Sequence, residues 1–265
     1  MSPVALADAV DASRFGGKAA SLAQALRAGL PVPGGFALEA RQVEAIAGGA
    51  GDAVAQLRAR AAGMGALLAV RSSALGEDGP ASSFAGQHVT VLGVRPEEVA
   101  DAVVAVRDSA SAAGAVAYRA KRGIAREARI GVIVQELVPA EVSAVVFTRN
   151  PVDRSDHILV EASWGLGESV VSGAVIPDRY VLAPSGRVVS RTIGEKDTAK
   201  VVRDGAVWDV DLLDERDKDC LGDDDLARIH ALVQEVDRVW TGPHDLEVAI
   251  ALGRIYMLQR RPVTA

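Results

Sequence analysis

The chain has 265 residues, which is enough for one large domain or two small ones with a substantial hydrophobic core. Hydrophobic residues make up 49% and charged residues 24%, the composition of a soluble globular protein. The formal net charge is -6 and the chain contains no basic run, so we expect no nucleic-acid partner.

The sequence contains no recognisable targeting or membrane segment. The N-terminal stretch MSPVALADAVDASRFGG has an aspartate inside its only apolar portion, so it does not predict a signal peptide. No apolar run approaches the roughly 20 residues of a membrane span, and we expect no membrane partner. Cys220 is the single cysteine, which excludes an internal disulfide and favours a cytoplasmic location.

Apolar periodicity and turn residues predict both helices and strands along the chain. Helical patterns cover residues 18 to 28, 40 to 63, 96 to 121 and 224 to 240. Strand patterns occur in ALLAVRSSA, HVTVLGV, RIGVIVQELV, SAVVFTRNP, HILVEAS and DRYVLAP, and GRVVSRTIGEK has the pattern of a hairpin. We therefore predict an α+β fold of two lobes with mixed, mostly antiparallel sheets.

The N-terminal motif RFGGKAASLAQAL places Lys18 directly after two glycines at the start of a predicted helix. Glycines let backbone N–H groups approach a phosphate, a helix N-terminus favours anions, and the lysine adds a positive charge. The motif is not a Walker A loop, because Ala12 and Ala19 occupy the positions that need Gly and Ser or Thr. A helix-capping glycine pair beside a solvated lysine is the alternative interpretation.

The segment VRSSALGEDGPASSFAGQHVTVL begins with Arg71 at the predicted end of a buried strand. A guanidinium at that position needs an anion or a carboxylate as its partner. Residues 72 to 88 form a predicted loop rich in glycine and serine, whose backbone amides around Gly86 and Gln87 could cover a phosphate chain. A mobile surface loop is the alternative.

The C-terminal segment DLEVAIALGRIYMLQRRP has the pattern of an apolar hairpin that carries several polar side chains. Alternate residues of a strand share a face, so the loop length decides which of these side chains lie together. A loop of odd length would set Glu247 opposite Gln259 and Asp245 opposite Arg261, whereas a two-residue loop would set Glu247 against Arg260. A three-residue loop with a left-handed glycine is common, but the sequence does not choose between the registers.

The odd register would gather carboxylate and amide oxygens beside a guanidinium on one face of the hairpin. Burying such groups costs several kcal/mol unless each group finds a partner. Hard oxygen ligands suit Mg2+, and an adjacent arginine suits phosphate oxygens. The alternative is a half-exposed hairpin whose polar face is simply solvated.

Five segments resemble, in chain order, the motifs of one family: GGKAASLAQALRAGLPVPGGFAL, AVRSSALGEDGPASSFAGQHVTVL, VIVQELVPAEVSAVVFTRNP, EASWGLGESVVSGAVIPDRYVL and DLEVAIALGRIYMLQRRP. The family comprises the nucleotide-binding domains of phosphoenolpyruvate synthase, pyruvate phosphate dikinase and rifampin phosphotransferase. The resemblance implies an ATP-grasp-like fold, with an N-terminal lobe over residues 1 to 134 and a C-terminal lobe over residues 135 to 265. It also implies that Mg2+ and ATP are bound in the cleft between the lobes.

The resemblance assigns roles to single residues. It implies that Lys18, Arg71 and Arg261 contact the ATP phosphates and that Glu247 and Gln259 ligate Mg2+. The nucleotide-binding residues that it implies are Gly86, Gln87 and Thr90 in a lid over the phosphates, Gln135, Glu136 and Leu137 around the adenine, and Lys196. Phosphoryl transfer depends mainly on positioning and on cancelling charge, which agrees with this residue set.

Members of the family continue into a swivelling domain that carries a phospho-accepting histidine in a Gly-rich setting of the type Ser/Thr-His-Ala. The four histidines of this chain lie in GQHVT, SDHIL, RIHAL and GPHDL, and none of them has that setting. We therefore expect the phosphoryl acceptor to be supplied by a separate chain, by the remainder of a longer protein, or directly by a small molecule.

By resemblance, the chain is predicted to cleave ATP to AMP, pass the β-phosphoryl group to a histidine of a partner domain and release the γ-phosphate. The final small-molecule acceptor stays open among pyruvate, a drug hydroxyl and a biosynthetic intermediate. Two alternatives remain. One is a small-molecule kinase or ATP-grasp ligase that forms an acyl phosphate and ADP, and the other is a subunit that senses ATP without turnover.

Overall fold

The computed structural model describes residues 2–75, 89–110 and 129–263 of the chain. The chain divides into two compact units, the first formed by residues 1–27 and 33–137 and the second by residues 28–32 and 138–265. Each unit has its own antiparallel sheet and its own buried residues. Among the described residues, no helix is both long and apolar enough to cross a membrane.

The first unit is built on one antiparallel sheet. Its strands are β1 (Val4–Ala5), β2 (Gly35–Leu38), β3 (Leu68–Ala74), β4 (Thr90–Val94) and β5 (Ile130–Glu136). Its helices are α1 (Ala12–Phe15), α2 (Gly17–Arg27), α3 (Ala40–Ala47), α4 (Gly51–Ala61) and α5 (Val99–Ser109), with short 3-10 helices at Leu6–Asp8 and Pro96–Glu98. The five strands follow the order β1-β2-β5-β3-β4.

One face of this sheet forms the hydrophobic core of the first unit. Phe36, Val70 and Val132 on three of its strands are fully buried together with Val43 of α3 and Val103 of α5. Burial of such apolar surface is the main favourable contribution to folding. The helices α3 to α5 therefore cover this face, and α1 and α2 pack on the other face, which carries Arg71.

The second unit contains a larger sheet, a separate hairpin and one long helix. Its strands are β6 (Val142–Phe147), β7 (Ile158–Trp164), β8 (Asp178–Leu182), β9 (Val188–Thr192), β10 (Thr198–Arg203), β11 (Ala206–Asp211), β12 (His244–Ala251) and β13 (Arg254–Pro262). Its helices are α6 (Glu168–Val171) and α7 (Asp223–Val239). The six-stranded sheet has the order β13-β12-β6-β7-β8-β9, so β13 is an edge strand. Among the described residues, β10 pairs only with β11.

Helix α7 begins and ends as its sequence predicts. Three aspartates occupy its first turn, where the helix dipole favours negative charge. Its apolar positions recur at helical spacing, and the buried ones are Leu226, Ile229, Leu232, Val233 and Val236. The helix ends before Trp240, which has an extended backbone conformation.

The predicted α+β class with antiparallel sheets is confirmed, but three local predictions were wrong. The helix predicted over 40 to 63 is two helices, because the chain turns at Gly49, whose φ is +73°. Strand β3 continues beyond Arg71 as far as Ala74. The hairpin predicted in GRVVSRTIGEK is a single strand, β9, which pairs with β8.

Candidate functional site

The C-terminal hairpin of β12 and β13 gathers polar side chains on one face of the six-stranded sheet. Glu247 pairs with Gln259 and Asp245 pairs with Arg261, which is the odd register. Directly opposed residues of an antiparallel pair point to the same side, so these four side chains share one face. We call it the Glu247 face, and we call the opposite side, which carries Leu246, the Leu246 face.

A two-residue turn and a β-bulge together produce this register, and the sequence does not predict the bulge. The turn contains only Leu252 and Gly253, with φ of +50° and +68°, so the suggested three-residue loop was wrong. Positive φ at both central residues is typical of a type I′ turn. A β-bulge beside Glu247, where the register skips Leu258, then restores the pairing with Gln259.

The charged groups on the Glu247 face compensate each other only in part. Arg261 Nη2 lies 3.4 Å from Glu247 Oε1, and the two side chains are 29% and 17% exposed. Burial raises the pKa of Asp245, while Arg261 acts to lower that pKa and Glu247 acts to raise it. Asp245 Oδ1 and Arg261 Nε are buried without a hydrogen-bond partner in the described part of the chain. Buried polar atoms are normally hydrogen-bonded, so these two atoms favour a ligand at this face.

The oxygen donors of the Glu247 face fit Mg2+. This ion is usually held by one or two carboxylates, and water and substrate phosphates fill its other positions. Glu247 and Gln259 offer a carboxylate and an amide oxygen side by side. Within residues 2–75, 89–110 and 129–263, no group of three or more His, Cys, Asp or Glu could hold a metal. An ion at this face would therefore take much of its coordination from the substrate.

Two further charged residues extend the Glu247 face across the sheet. The register leads from Glu247 through Val145 of β6 to Glu161 of β7 and Arg179 of β8. Arg179 Nη2 donates to Glu161 Oε1 at 2.6 Å, so these two charges compensate each other. Sequence reasoning did not single out this pair, because no local motif shows which residues lie on neighbouring strands.

In the first unit, the Gly-Gly-Lys motif lies at the junction of α1 and α2. Gly16 has a φ of +86°, and a Cβ atom there would lie 2.2 Å from the carbonyl oxygen of Ser73. A Cβ atom on Gly131 would lie 2.4 Å from the carbonyl oxygen of Phe15. The backbone of the motif is therefore packed against β3 and β5 more closely than any residue with a side chain allows.

Ser73 fixes the start of α2 on the sheet. Its Oγ accepts a hydrogen bond of 3.0 Å from the N–H of Ala19, one of the donors in the first turn that has no partner inside the helix. Ser73 and Arg71 lie two residues apart on β3 and share a face, and Arg71 pairs with Thr90 of β4. The structure thus brings the turn that contains Lys18 to the sheet face of Arg71 and Thr90.

Of the phosphate lid predicted from the sequence, only Thr90 can be placed, because Gly86 and Gln87 lie outside the described residues. Ser73 is a residue that sequence reasoning missed, since it was assigned to the loop after Arg71. The signal that could have found it is the apolar run before it, which continues as a strand.

The predicted adenine-binding segment runs along the end of β5. Gln135 is buried, Glu136 is exposed and Leu137 is half-buried. Their donors go to backbone carbonyls: Gln135 Nε2 to Pro33 at 3.1 Å, Glu136 N to Gly34 at 3.0 Å and Leu137 N to Leu67 at 3.0 Å. The contact of these residues with adenine stays a prediction, and in the structure these donors already bond to protein carbonyl oxygens.

Lys196 is fully buried, and its ammonium forms an ion pair with Asp178. Asp178 also accepts hydrogen bonds from the N–H groups of Gly194 at 2.8 Å and Cys220 at 2.9 Å. Burial acts to raise the pKa of Asp178, but the hydrogen bonds from Lys196, Gly194 and Cys220 outweigh it and hold that pKa low. Asp178 pairs with Ala162 on the Leu246 face, away from Glu247. The predicted nucleotide contact of Lys196 stays untested, and its observed partner is a carboxylate.

Comparison with known families identifies the class of this chain. Residues 46–265 match the family model described as pyruvate phosphate dikinase, AMP/ATP-binding domain. The chain belongs to this family. The resemblance seen in the sequence motifs is thereby confirmed.

Several curated proteins are similar to this chain. A probable phosphoenolpyruvate synthase of Methanothermobacter thermautotrophicus is 41% identical over 201 residues, which cover 74% of this chain and 29% of that protein. A probable phosphoenolpyruvate synthase of Archaeoglobus fulgidus is 33% identical over 305 residues, covering 97% of this chain and 40% of that protein. The prodigiosin synthesizing transferase PigC of Serratia marcescens is 35% identical over 284 residues, covering 95% and 32%. The chain thus spans less than half the length of each of these relatives.

Proposed function

We propose that the chain binds Mg2+-ATP and acts as a phosphotransferase module that converts ATP to AMP and phosphate. The observation that carries the proposal is the register of β12 and β13, which sets Glu247 opposite Gln259 and Asp245 opposite Arg261 on one face. Membership in an AMP/ATP-binding family supports ATP as the ligand of that face.

In the proposed site, Glu247 and Gln259 hold Mg2+ through their side-chain oxygens. Bound Mg2+ supplies positive charge that offsets the charge on the phosphate oxygens during transfer. Arg261 contacts the transferring phosphates, and its Nη2 lies 3.4 Å from Glu247 Oε1. Support comes from the buried Arg261 Nε and Asp245 Oδ1, which have no hydrogen-bond partner within the described residues.

In the first unit, we assign Lys18 and Arg71 to the ATP phosphates and Thr90, with Gly86 and Gln87, to the lid over them. The packing of the glycine motif on β3 and β5 supports this assignment, because it holds the helix start that contains Lys18 on the sheet face of Arg71. Adenine is assigned to residues 135 to 137 at the end of β5, whose backbone would line part of its pocket.

The proposed reaction breaks the bond between the α- and β-phosphates of ATP and leaves AMP. An imidazole nitrogen of a histidine forms the new bond to the β-phosphorus, and water takes the γ-phosphoryl group as inorganic phosphate. The residues of this chain position the phosphates and offset their charge. The histidine belongs to a swivelling domain or to a separate chain, because no histidine of this chain lies in the expected setting.

The final acceptor is proposed to be a small molecule of a class that differs among relatives. Two of the relatives above carry the name phosphoenolpyruvate synthase and one the name prodigiosin synthesizing transferase. Relatives with a similar nucleotide-binding module therefore differ in the reaction for which they are named.

Product analysis tests the proposed reaction. The chain is incubated with Mg2+, ATP labelled at the β-phosphate and the histidine-bearing domain of a relative, and the products are separated by chromatography. The proposal predicts AMP, inorganic phosphate and label on the added domain, all dependent on Glu247. Accumulation of ADP would favour a kinase or ligase, and binding without turnover would favour an ATP-sensing subunit.

A further inference from the structure

A stack of three side chains lies behind the hairpin on the Leu246 face. The Arg260 guanidinium carbon lies 4.7 Å from the ring centroid of Trp240, which follows α7. Arg260 Nη2 donates to His244 Nδ1 at 3.0 Å, and His244 is fully buried. The N–H of His244 donates to Thr148 Oγ1 and the N–H of Thr148 donates to the His244 carbonyl, both at 2.9 Å. Arg260 is therefore held against a fixed part of the second unit.

The hairpin has a competing register that would dismantle the proposed site. If the ladder continued from the two-residue turn without a bulge, Glu247 would face Leu258 and Asp245 would face Arg260. A slip of one residue turns every side chain of a strand to the other side. Gln259 and Arg261 would then point to the Leu246 face, and Asp245 would exchange Arg261 for Arg260 as its facing residue.

Several contacts in addition to the ladder hold the last residues of β13 in place. Among the described residues, β13 is an edge strand that pairs within its sheet only with β12. An added anchor, the hydrogen bond of 2.7 Å from the Met257 N–H to the Pro31 carbonyl, lies on the turn side of the bulge. Beyond the bulge, the Val263 N–H donates to the Pro243 carbonyl at 2.9 Å. The side chain of Arg260, which lies between Gln259 and Arg261 in sequence, is held there on the Leu246 face by His244 and Trp240.

We infer that His244, Arg260 and Trp240 form a register clamp, which keeps Gln259 and Arg261 on the Glu247 face. The clamp holds Arg260 on the Leu246 face and thereby excludes the slipped register. The inference rests on the proposed function, because it makes these three residues positioning residues for the Mg2+-ATP site. They act through Gln259 and Arg261.

The protonation state of His244 agrees with this arrangement. Burial, followed by the charge of Arg260, lowers the pKa of His244 to about 4. The imidazole is therefore neutral at pH 7, and its Nδ1 can accept the hydrogen bond from Arg260.

The first test combines loss of the clamp with removal of the bulge. Binding of ATP in the presence of Mg2+ is measured by calorimetry for the wild type, Arg260→Met and the control Arg238→Met, which replaces an exposed arginine of α7. The same Arg260→Met substitution is then made in a chain that lacks Leu258. Deletion of Leu258 removes the extra residue, so a regular ladder sets Glu247 opposite Gln259 without help from the clamp.

The clamp predicts that Arg260→Met weakens ATP binding at least ~10-fold, the scale for losing support behind a metal ligand, while Arg238→Met binds as the wild type. In the Leu258 deletion, Arg260→Met should change the affinity less than about 2-fold, because the regular ladder already fixes the facing residues. Wild-type affinity in Arg260→Met, loss of binding in the deletion alone, or an equal loss in both backgrounds would overturn the inference.

A second test reads the register without nucleotide. In the double variant Glu247→Cys/Gln259→Cys the two thiols are directly opposed, whereas in the slipped register they lie on opposite faces. Disulfide formation should be rapid in this background and at least ~5-fold slower when Arg260→Met is added, because slipped hairpins cannot bridge. Equal rates would overturn the clamp. If the wild type binds no ATP, the proposed function fails while this test still decides the clamp.

Discussion

The two units present their charged residues by different physical means. In the first, glycine backbone that packs directly on two strands holds the start of the helix that contains Lys18 on the sheet face of Arg71. In the second, Glu247, Gln259 and Arg261 are brought together by the register of a hairpin with a bulge. A side chain added at a close backbone contact clashes with the strand and destabilises the fold. A change of register leaves the fold intact but moves the site residues to the other face, so the two regions should respond differently to substitution.

The largest effect is expected where the backbone contact of the first unit is broken. Gly16→Ala places a Cβ atom 2.2 Å from the Ser73 carbonyl oxygen and forces a positive φ on alanine. We expect it to lower the free energy of unfolding by about 3 kcal/mol, the upper end for overpacking. Urea unfolding measures this loss.

Gly29→Ala is the matched control for this loss. Gly29 has a φ of +81° but no atom within 4 Å of its added Cβ, so the substitution should cost only about 1 kcal/mol from backbone strain. Equal losses at the two positions would show that close packing of the glycine motif is not what matters.

In the second unit, the site should fail while the fold remains. Glu247→Ala removes a proposed metal ligand from a strand whose apolar side chains are unchanged. Turnover in the presence of a histidine-bearing domain should fall at least ~100-fold, the usual scale for losing one charge-stabilising group. The thermal unfolding midpoint should stay close to that of the wild type. Glu235→Ala on the exposed side of α7 is the control, and comparable turnover in the two variants would contradict the site assignment.

A smaller effect is expected for the cation of the glycine motif. Lys18→Ala leaves the backbone packing of Gly16 intact and removes one charge, so ATP affinity should weaken by about 10-fold, the share of a single charge-assisted contact. Titration calorimetry measures the change. Lys218→Ala, which removes a lysine whose side chain is 62% exposed, should not change the affinity. Unchanged ATP affinity in Lys18→Ala would contradict the assignment of Lys18 to the phosphates and leave only the arginines in that role.

The smallest effect concerns the pH dependence of the second unit. The pKa of His244 is about 4 in the folded chain against an ordinary value of 6.5, first because of burial. As the pH is lowered, His244 is protonated in the unfolded chain before it is protonated in the folded chain. The free energy of unfolding therefore falls as the pH drops through 6.5. Between pH 7 and pH 5.5 the wild type should lose about 1 kcal/mol more than His244→Asn in urea unfolding. Equal losses would mean that His244 is protonated at little cost in the folded state.

The sequence predicts local features well and long-range ones poorly. The glycine motif, α7 and the strand class follow from periodicity and from Gly and Pro, which act on neighbouring residues. The sequence left two registers open for the hairpin, and the pairing of Glu247 with Gln259 was one of them. The bulge that selects it is accompanied by packing of Arg260 against Trp240, which follows a distant helix and leaves no local sequence pattern. The cap that Ser73 places on α2 spans 54 residues, so no local pattern could show it.

The central claim is that the Glu247 face binds Mg2+-ATP. Calorimetric titration of ATP into the chain, with and without Mg2+ and beside Glu247→Ala, tests it most directly. The account predicts binding that requires Mg2+ and that Glu247→Ala loses at least ~10-fold, because a metal ligand is removed. Binding that is equally tight without Mg2+ or in the variant, or no binding by the wild-type chain, would contradict it.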